Sequence, residues 1–171
     1  MTDRSEQDAV QRLLDYQDIQ RALATYVVAL DSRELALFRQ CFTPNAKIML
    51  AGMGDMTTES YMKLAEEGLG RLDATQHHLG LPLIRLDGDR AYARCYFMAQ
   101  HARNDLAPNG LLLIGGWYTD EIVRTGDGWR IAQRVGTALW YDGNPQVLGY
   151  DFPLGATPRG PGHTAPAWTL A

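Results

Sequence analysis

The sequence predicts an α+β fold in which three helices precede a meander of four long antiparallel strands. Up to about residue 70, apolar side chains recur at helical spacing in three separate segments. From residue 76 the pattern changes to alternation, and two pairs of alternating segments are joined by the turns DGD (87–89) and TGDG (125–128). Helices packed on one face of a curved antiparallel sheet account for both patterns.

The helical segments have recognisable limits. The first covers residues 8–30, and ELALFRQCF (34–42) predicts the second, which Pro44 ends because proline cannot continue a helix. TTESYMKLAEEGLG (57–70) predicts the third helix. AKIML (46–50) predicts a short strand between the second and third helices.

The strands form two predicted hairpins and are followed by a tail. HHLGLPLIRL (77–86) pairs with RAYARCYFMAQHA (90–102), and LLLIGGWYTDEIVR (111–124) pairs with WRIAQRVGTALWY (129–141). One domain therefore covers residues 1–141. Residues 142–171 are rich in Gly and Pro, which disfavours regular structure. Because they still carry several large apolar side chains, we expect this tail to pack on its own domain or on a neighbouring subunit.

Composition excludes several classes of protein. Lys and Arg number 16 against 20 Asp and Glu, and no basic run appears, which argues against nucleic acid and anionic membranes as partners. Cys41 and Cys95 alone make neither a disulfide framework nor a zinc motif. No phosphate-binding loop or Ser-centred elbow is present, and His101 and His163 have no evident partner. The polar start and the lack of a long apolar stretch make the cytoplasm the expected location.

Asp31 and the adjacent histidines His77 and His78 are the first candidates for chemistry. Asp31 ends the first helix near its apolar stripe, where a charge is costly unless it is paired. It is either a partner for a site residue or the N-cap of the second helix with Glu34 at the third position, and both roles can coexist. In a strand the two histidines point to opposite faces, so one faces the concave side. The alternative is one exposed histidine and one hydrogen-bonded core histidine.

Several aromatic residues and one arginine are candidates for lining a pocket. Tyr26 belongs to the core or directs its hydroxyl into a pocket, and Tyr96 and Tyr118 are interpreted as core or lining residues. Arg134 lies in the middle of a strand, on the same predicted face as Arg130. Such an arginine usually faces solvent, and an inward-facing one needs an anionic partner or ligand.

Three segments together resemble SnoaL-like proteins of the nuclear transport factor 2-like superfamily. LLDYQDIQRALATYVVALDSRELALFRQCFTPNAKI (13–48) resembles their opening, TQHHLGLPLIRLDGDRAYARCY (75–96) their central strand pair, and DGWRIAQRVG (127–136) their last strand. The resemblance covers roughly residues 8–141. It implies a cone, in which a strongly curved mixed sheet wraps around the helices and encloses a deep pocket.

The resemblance also implies site residues. The group that the chain resembles contains hexachlorocyclohexane dehydrochlorinase, scytalone dehydratase and bile acid 7α-dehydratase. In that group an aspartate at the end of the first long helix pairs with a histidine on the first meander strand, and Asp31 and His77 match these positions. Arg134 and Tyr26 match positions of pocket residues. We therefore expect catalysis by the matched pair and substrate contacts from four residues: Tyr26, Tyr96, Tyr118 and Arg134.

The implied activity is that of a cofactor-independent lyase, a dehydratase or dehydrohalogenase, acting on a hydrophobic ring-containing or polyketide-like small molecule. His77 would be the base, Arg134 would stabilise the departing anion, and Tyr26 would donate a proton to a leaving hydroxyl. An isomerase or cyclase using the same base for enolisation and a non-catalytic ligand-binding module are the alternatives. No metal or cofactor is expected. The resembled enzymes imply a homo-oligomer, with a trimer favoured.

Overall fold

A computed structural model describes residues 4–50 and 53–149 of the chain. It confirms the predicted α+β class: within these residues three α-helices lie against one seven-stranded sheet. The helices are α1 (Arg4–Asp31), α2 (Leu35–Gln40) and α3 (Thr58–Leu69). The strands are β1 (Phe42–Leu50), β2 (Gly54–Thr57), β3 (Ala74–Leu79), β4 (Leu83–Asp87), β5 (Arg90–Ala102), β6 (Leu111–Thr125) and β7 (Gly128–Gly143). Short 3₁₀ helices cover Asn104–Leu106 and Pro145–Val147.

The sheet is mixed and runs in the order β2-β1-β7-β6-β5-β3, with β4 also pairing with β5. All neighbouring pairs are antiparallel except β1 and β7, which are parallel. The two long hairpins expected from the Asp-Gly turns are present, since β4 pairs with β5 and β6 with β7. The mixed sheet agrees with the cone implied by the family resemblance.

Two irregularities between β6 and β7 curve the sheet. The pairing register shifts once between Gly115 and Gly116 and again between Glu121 and Ile122. Such bulges bend a strand and increase its twist. Glycine is required at the first shift, because a Cβ on Gly116 would collide with the carbonyl oxygen of Thr137. The curved inner face can therefore wrap around α1 and α3.

The core lies between this concave face and the helices. Leu23, Tyr26 and Ala29 of α1 are buried against inward-facing strand residues such as Ile48 and Ile131. Alternation is clean in β5, where every second residue from Ala91 to His101 is buried. None of the helices in the described part of the chain combines the length and apolar character needed to cross a membrane.

Several sequence-based expectations about the elements are wrong. The segment predicted as one strand over 77–86 is two strands, because Gly80–Pro82 interrupts it and proline supplies no N–H for the ladder. Strand β1 already begins at Phe42, and Pro44 is tolerated there because the β1–β7 register is irregular between Phe42 and Lys47. Strand β2 was not predicted.

The beginning of the predicted tail is ordered on the domain. Val147 is fully buried, and the backbone N–H of Asn144 donates to the carbonyl oxygen of Leu111. Leu148 also packs against the core. The rest of the predicted tail, residues 150–171, lies outside the described residues.

Candidate functional site

A cavity of about 150 Å³ opens between α1, α3 and the concave face of the sheet. Most of its wall is apolar. Five polar side chains are an exception and come from five different elements: Tyr26, Tyr61, His77, His101 and Tyr118. No Asp, Glu, Lys or Arg belongs to the wall that the described residues form.

Asp31 and His77 meet beside this cavity. Oδ1 of Asp31 lies 2.7 Å from Nδ1 of His77, and Oδ2 accepts a 2.6 Å hydrogen bond from the backbone N–H of His77. Burial raises the pKa of Asp31, but the hydrogen bonds from the ring and backbone of His77 outweigh it and hold this pKa below its usual value. The carboxylate is therefore ionised at neutral pH.

The charge on Asp31 fixes the protonation of the ring that it holds. An ionised carboxylate only accepts hydrogen bonds, so Nδ1 of His77 carries the hydrogen. Nε2 is then the nitrogen with a free lone pair in the neutral ring. One hydrogen bond to Asp31 therefore orients the ring of His77, and a second one to the same carboxylate fixes the backbone of His77.

The capping role that the sequence left open for Asp31 is not observed. Helix α2 has Glu34 at its N-cap position, and no side chain caps it. Instead, the turn after Asp31 is tied to the entrance of β3, because Nη2 of Arg33 donates to the carbonyl oxygen of Leu72 at 2.6 Å. Arg33 adopts a left-handed φ of 62° in doing so. This hydrogen bond connects the two segments that carry Asp31 and His77.

The two adjacent histidines point to opposite faces of β3. The side chain of His77 is 7% exposed and lines the cavity. His78 is exposed and is not part of the cavity wall. The period of two in a strand accounts for the difference.

His101 is a second histidine in the cavity. It lies on β5, and its ring is edge-on to that of His77 with the centroids 5.5 Å apart. Its Nδ1 lies 3.0 Å from Oγ1 of Thr75, the residue opposite it in the β3–β5 ladder. Burial, together with nearby His77, lowers the pKa of His101 to about 4. His101 is therefore neutral at pH 7.

Three tyrosines form the other polar part of the wall. The hydroxyls of Tyr26 and Tyr61 are 2.7 Å apart, and the rings of Tyr26 and Tyr118 meet edge-on at 5.7 Å. Burial raises the pKa of Tyr61 and of Tyr118 well above the ordinary value. The hydroxyls of Tyr61 and Tyr118 therefore stay protonated at neutral pH and can donate hydrogen bonds.

Arg134 does not line the cavity, which corrects the sequence-based expectation. Its guanidinium is fully buried and donates from Nε and Nη2 to both carboxylate oxygens of Asp120, each at 2.7 Å. The rings of Tyr26 and Tyr118 cover it, at 4.0 and 4.2 Å from the guanidinium carbon. A charge held this way is separated from the cavity by two aromatic rings.

The expectation for Tyr96 is also wrong. Tyr96 is 65% exposed on the convex face of β5, while its neighbours Cys95 and Phe97 point inward. The ring contacts Trp117 on the same outer face, with the centroids 6.0 Å apart. Of the four expected substrate contacts, Tyr26 and Tyr118 line the cavity and the other two do not.

A family model described as the SnoaL-like domain matches residues 11–135. The chain belongs to the SnoaL-like family. An uncharacterized protein of Mycobacterium tuberculosis is 34% identical over 134 residues, which are 75% of this chain and 88% of that protein. Terrestric acid biosynthesis cluster protein E of Penicillium crustosum is 26% identical over 142 residues, 80% of this chain and 91% of that protein.

Solved structures share the fold of this SnoaL-like protein. A Kribbella flavida protein superposes with a TM-score of 0.75 at 27% identity, covering 80% of this chain and 98% of that one. A putative scytalone dehydratase of Novosphingobium aromaticivorans superposes with a TM-score of 0.74 at 20% identity, covering 86% of this chain and 95% of that one. Hexachlorocyclohexane dehydrochlorinase of Novosphingobium barchaimii superposes with a TM-score of 0.71 at 17% identity, covering 85% of this chain and 98% of that one.

Sequence reasoning missed two charged or titratable residues of this SnoaL-like protein, His101 and Asp120. Alternation along β5 places His101 on the same face as Phe97 and Ala99, and this signal could have found it. Alternation along β6 likewise places Asp120 on the inward face with Tyr118 and Ile122, but the bulge near Ile122 hides its pairing with Arg134. Within the described ranges 4–50 and 53–149, no cluster of three or more His, Cys, Asp or Glu is arranged to hold a metal ion.

Proposed function

We propose that this SnoaL-like protein is a cofactor-independent lyase that eliminates water or hydrogen halide from a hydrophobic, ring-containing small molecule. The observation that carries the proposal is the His77 ring, which lines an apolar cavity while its Nδ1 is held by Asp31. Two proteins that share the fold, a putative scytalone dehydratase and a hexachlorocyclohexane dehydrochlorinase, are named for eliminations, which supports this reaction class.

His77 acts as the general base of the proposed elimination. Its Nε2 takes a proton from a ring carbon, and the electron pair of that C–H bond becomes the new C=C bond. The leaving group departs from the neighbouring carbon with the electrons of its own bond. When hydroxide leaves, the imidazolium of His77 returns the proton, so water is released and the protein ends unchanged.

Asp31 and the tyrosines assist this step in different ways. The carboxylate of Asp31 stabilises the imidazolium that forms on His77. The hydroxyls of Tyr26 and Tyr61 are hydrogen bonded to each other, and a hydroxyl hydrogen that this bond leaves over in the tyrosine group donates to the substrate oxygen on which negative charge develops. General-base catalysis accelerates a reaction by about 10²–10⁴-fold. Positioning and desolvation in the apolar cavity contribute the rest of the acceleration.

An isomerase or cyclase is the second candidate, and the tyrosine hydroxyls favour it specifically. The same base would form an enolate, and O–H donors suit an enolate oxygen as well as a leaving hydroxide. Reprotonation at another carbon, rather than loss of a leaving group, would then complete the reaction. The two candidates share every residue and differ in whether water appears.

Dehydration of 3-hydroxycyclohexanone tests the proposal. Loss of water gives cyclohex-2-enone, whose conjugated absorbance and chromatographic mobility identify it. We expect His77→Gln to lower the rate by about 10²–10⁴-fold. The matched control His78→Gln alters the exposed neighbour and should keep the rate.

Three other outcomes of this experiment would contradict the proposal. A folded His77→Gln variant with full activity would refute His77 as the base. Exchange of ring hydrogens with D2O without enone formation would favour the isomerase. Binding without either reaction would favour a ligand-binding module.

A further inference from the structure

The beginning of the first helix carries an apolar stripe that is open to solvent. Residues 5–14 of α1, termed the arm, are all exposed, and burial along the helix begins at Asp15. At 1.5 Å per residue, the arm extends about 15 Å beyond the buried part of α1. It presents three large apolar side chains, Val10, Leu13 and Leu14, and Leu13 is 69% exposed.

The helical repeat turns this stripe away from the core. Nine residues make about two and a half turns, so residues nine positions apart lie on opposite sides of a helix. Val10 precedes the core residue Ile19 by this spacing, and Leu14 precedes the core residue Leu23 by the same spacing. A short helical segment depends on the packing of its apolar side for most of its stability. A surface that covers the stripe therefore has to approach from the side opposite the sheet.

A second exposed apolar surface lies on the outer face of the sheet. Tyr96 and Met98 of β5 are exposed there, and Trp117 of β6 meets Tyr96 edge-on. Trp140 of β7 is also exposed, and its indole lies across Gly115, where any Cβ would collide with it. The register places Gly115 between Met98 and Trp140. The four side chains thus form one continuous surface, termed the outer platform: Tyr96, Met98, Trp117 and Trp140.

The arm and the outer platform also match in charge. Glu6 lies one helical turn before Val10, on the same side of the arm. Beside the outer platform, Arg85 and Arg94 lie over aromatic rings of the outer face. An acidic group next to the stripe can therefore approach a basic edge of the platform. Complementary charges of this kind favour contact between the two surfaces over contact between two arms.

We propose that the arm of one copy packs on the outer platform of a second copy of this chain, and that three such contacts close a ring. A two-fold contact joins a surface to itself, whereas a ring of three needs two different surfaces that meet head to tail. In the described part of the chain, the exposed large apolar side chains are concentrated on the arm and the outer face. The apolar stripe lies against the aromatic rings of the platform, and Glu6 faces its arginine edge.

Chemical cross-linking between introduced cysteines tests this contact on the full chain. The native Cys41 and Cys95 are buried, and burial raises the pKa of both thiols to about 11, so they react slowly. The double variant Leu13→Cys, Met98→Cys places one thiol on each surface. With a short bismaleimide we expect a band of three chains on a denaturing gel, because every contact in the ring is bridged. Either single variant should stay at one chain, since its thiol faces a surface without one.

The matched control moves the thiol along the same helix. Val28 is exposed on α1 like Leu13, but it lies about 22 Å further along the helix. The double variant Val28→Cys, Met98→Cys should therefore give no band above one chain. Light scattering on Leu13→Glu is a second readout: the mass should fall from three chains to one, whereas Val28→Glu should keep three. Thermal melts check that both variants stay folded.

Four results would overturn the proposal. Cross-linking of Leu13→Cys alone would show that arms pack on arms, and cross-linking of Met98→Cys alone would show that platforms pack on platforms. A Leu13→Cys, Met98→Cys variant that stays at one chain, or a Leu13→Glu protein that keeps the mass of the wild type, would show that no second copy holds the arm. Its stripe would then be left to a different protein or to residues 150–171. None of these measurements involves a substrate, so their outcome is independent of the role of His77.

Discussion

Asp31 commits both carboxylate oxygens to one residue, His77, accepting from its backbone N–H at 2.6 Å and meeting its ring Nδ1 at 2.7 Å. The two residues are 46 positions apart, on α1 and β3. The carboxylate of Asp31 therefore orients the His77 ring and also connects the end of α1 to the sheet. Removal of the charge should affect both functions.

We predict that Asp31→Asn lowers the rate of enone formation by about 10²–10⁴-fold. An amide can hold the ring, but it cannot stabilise the imidazolium. It also replaces one acceptor by a donor, so one N–H of His77 loses its partner at a cost of about 1–3 kcal/mol in unfolding free energy. Rates and thermal melts measure the two effects. Glu34→Gln removes an exposed carboxylate from the same turn and is the control; an equal loss of rate there would contradict the role of Asp31.

We predict that His101 makes the protein less stable as the pH falls from 6.5 to 4. Its pKa is about 4 in the folded protein, below the ordinary 6.5, so the unfolded chain binds more protons in this range. The unfolding free energy therefore rises with pH through the window, by roughly 3 kcal/mol from this group. Denaturant titrations of wild type and His101→Asn at several pH values measure the difference. Parallel curves for the two proteins would show that His101 titrates normally.

The helices and both long hairpins could be predicted because each depends on local patterns. Helical periodicity, Asp-Gly turns and alternation act over a few residues. The break at Gly80–Pro82 has a local signal too, since proline cannot donate within a ladder. Strand β2 has only four residues, Gly54–Thr57, too few to show a period.

The partner of Arg134 could not be predicted by counting from the turn. The register that pairs Thr125 with Gly128 would place Asp120 opposite Gln133. The bulge near Ile122 moves the register by one residue, so Asp120 faces Arg134 instead. The same bulge turns Arg134 inward, away from the face of Arg130 that simple alternation indicates. Local patterns indicate Asp31, His77 and His78 as candidates, whereas the pairing of Asp31 with His77 was expected from the family resemblance.

We predict that Arg134→Met destabilises the fold by about 3–5 kcal/mol, because it leaves the buried carboxylate of Asp120 without a counter-charge. The double variant Arg134→Met, Asp120→Leu should recover most of the loss, since a buried ion pair can be replaced by apolar groups at little cost. Urea unfolding midpoints compare the variants. If the double variant loses as much as the sum of both single changes, the pair is not coupled as described.

We predict that the protein is a homotrimer, as the family resemblance implies. Tyr96 and Met98 are exposed on the outer face of β5, and Leu81 is exposed in the break between β3 and β4, so large apolar side chains are available for a subunit contact. Light scattering should give about three times the chain mass of 19.0 kDa. Met98→Glu should shift the mass towards the monomer, whereas Val28→Glu on exposed α1 should not. A monomer at micromolar concentration would contradict any oligomer, and a dimer would contradict the trimer.

Hydrogen exchange at carbon tests the central claim, that His77 is the base, without requiring a complete reaction. Cyclohexanone in D2O is followed by ¹H NMR with wild type, His77→Gln and His78→Gln, each checked for folding by thermal melting. The account predicts that wild type and His78→Gln accelerate loss of the hydrogens beside the carbonyl above the buffer rate, and that His77→Gln does not. Exchange by His77→Gln at the wild-type rate, or loss of exchange in His78→Gln alone, would contradict the assignment of the base to His77.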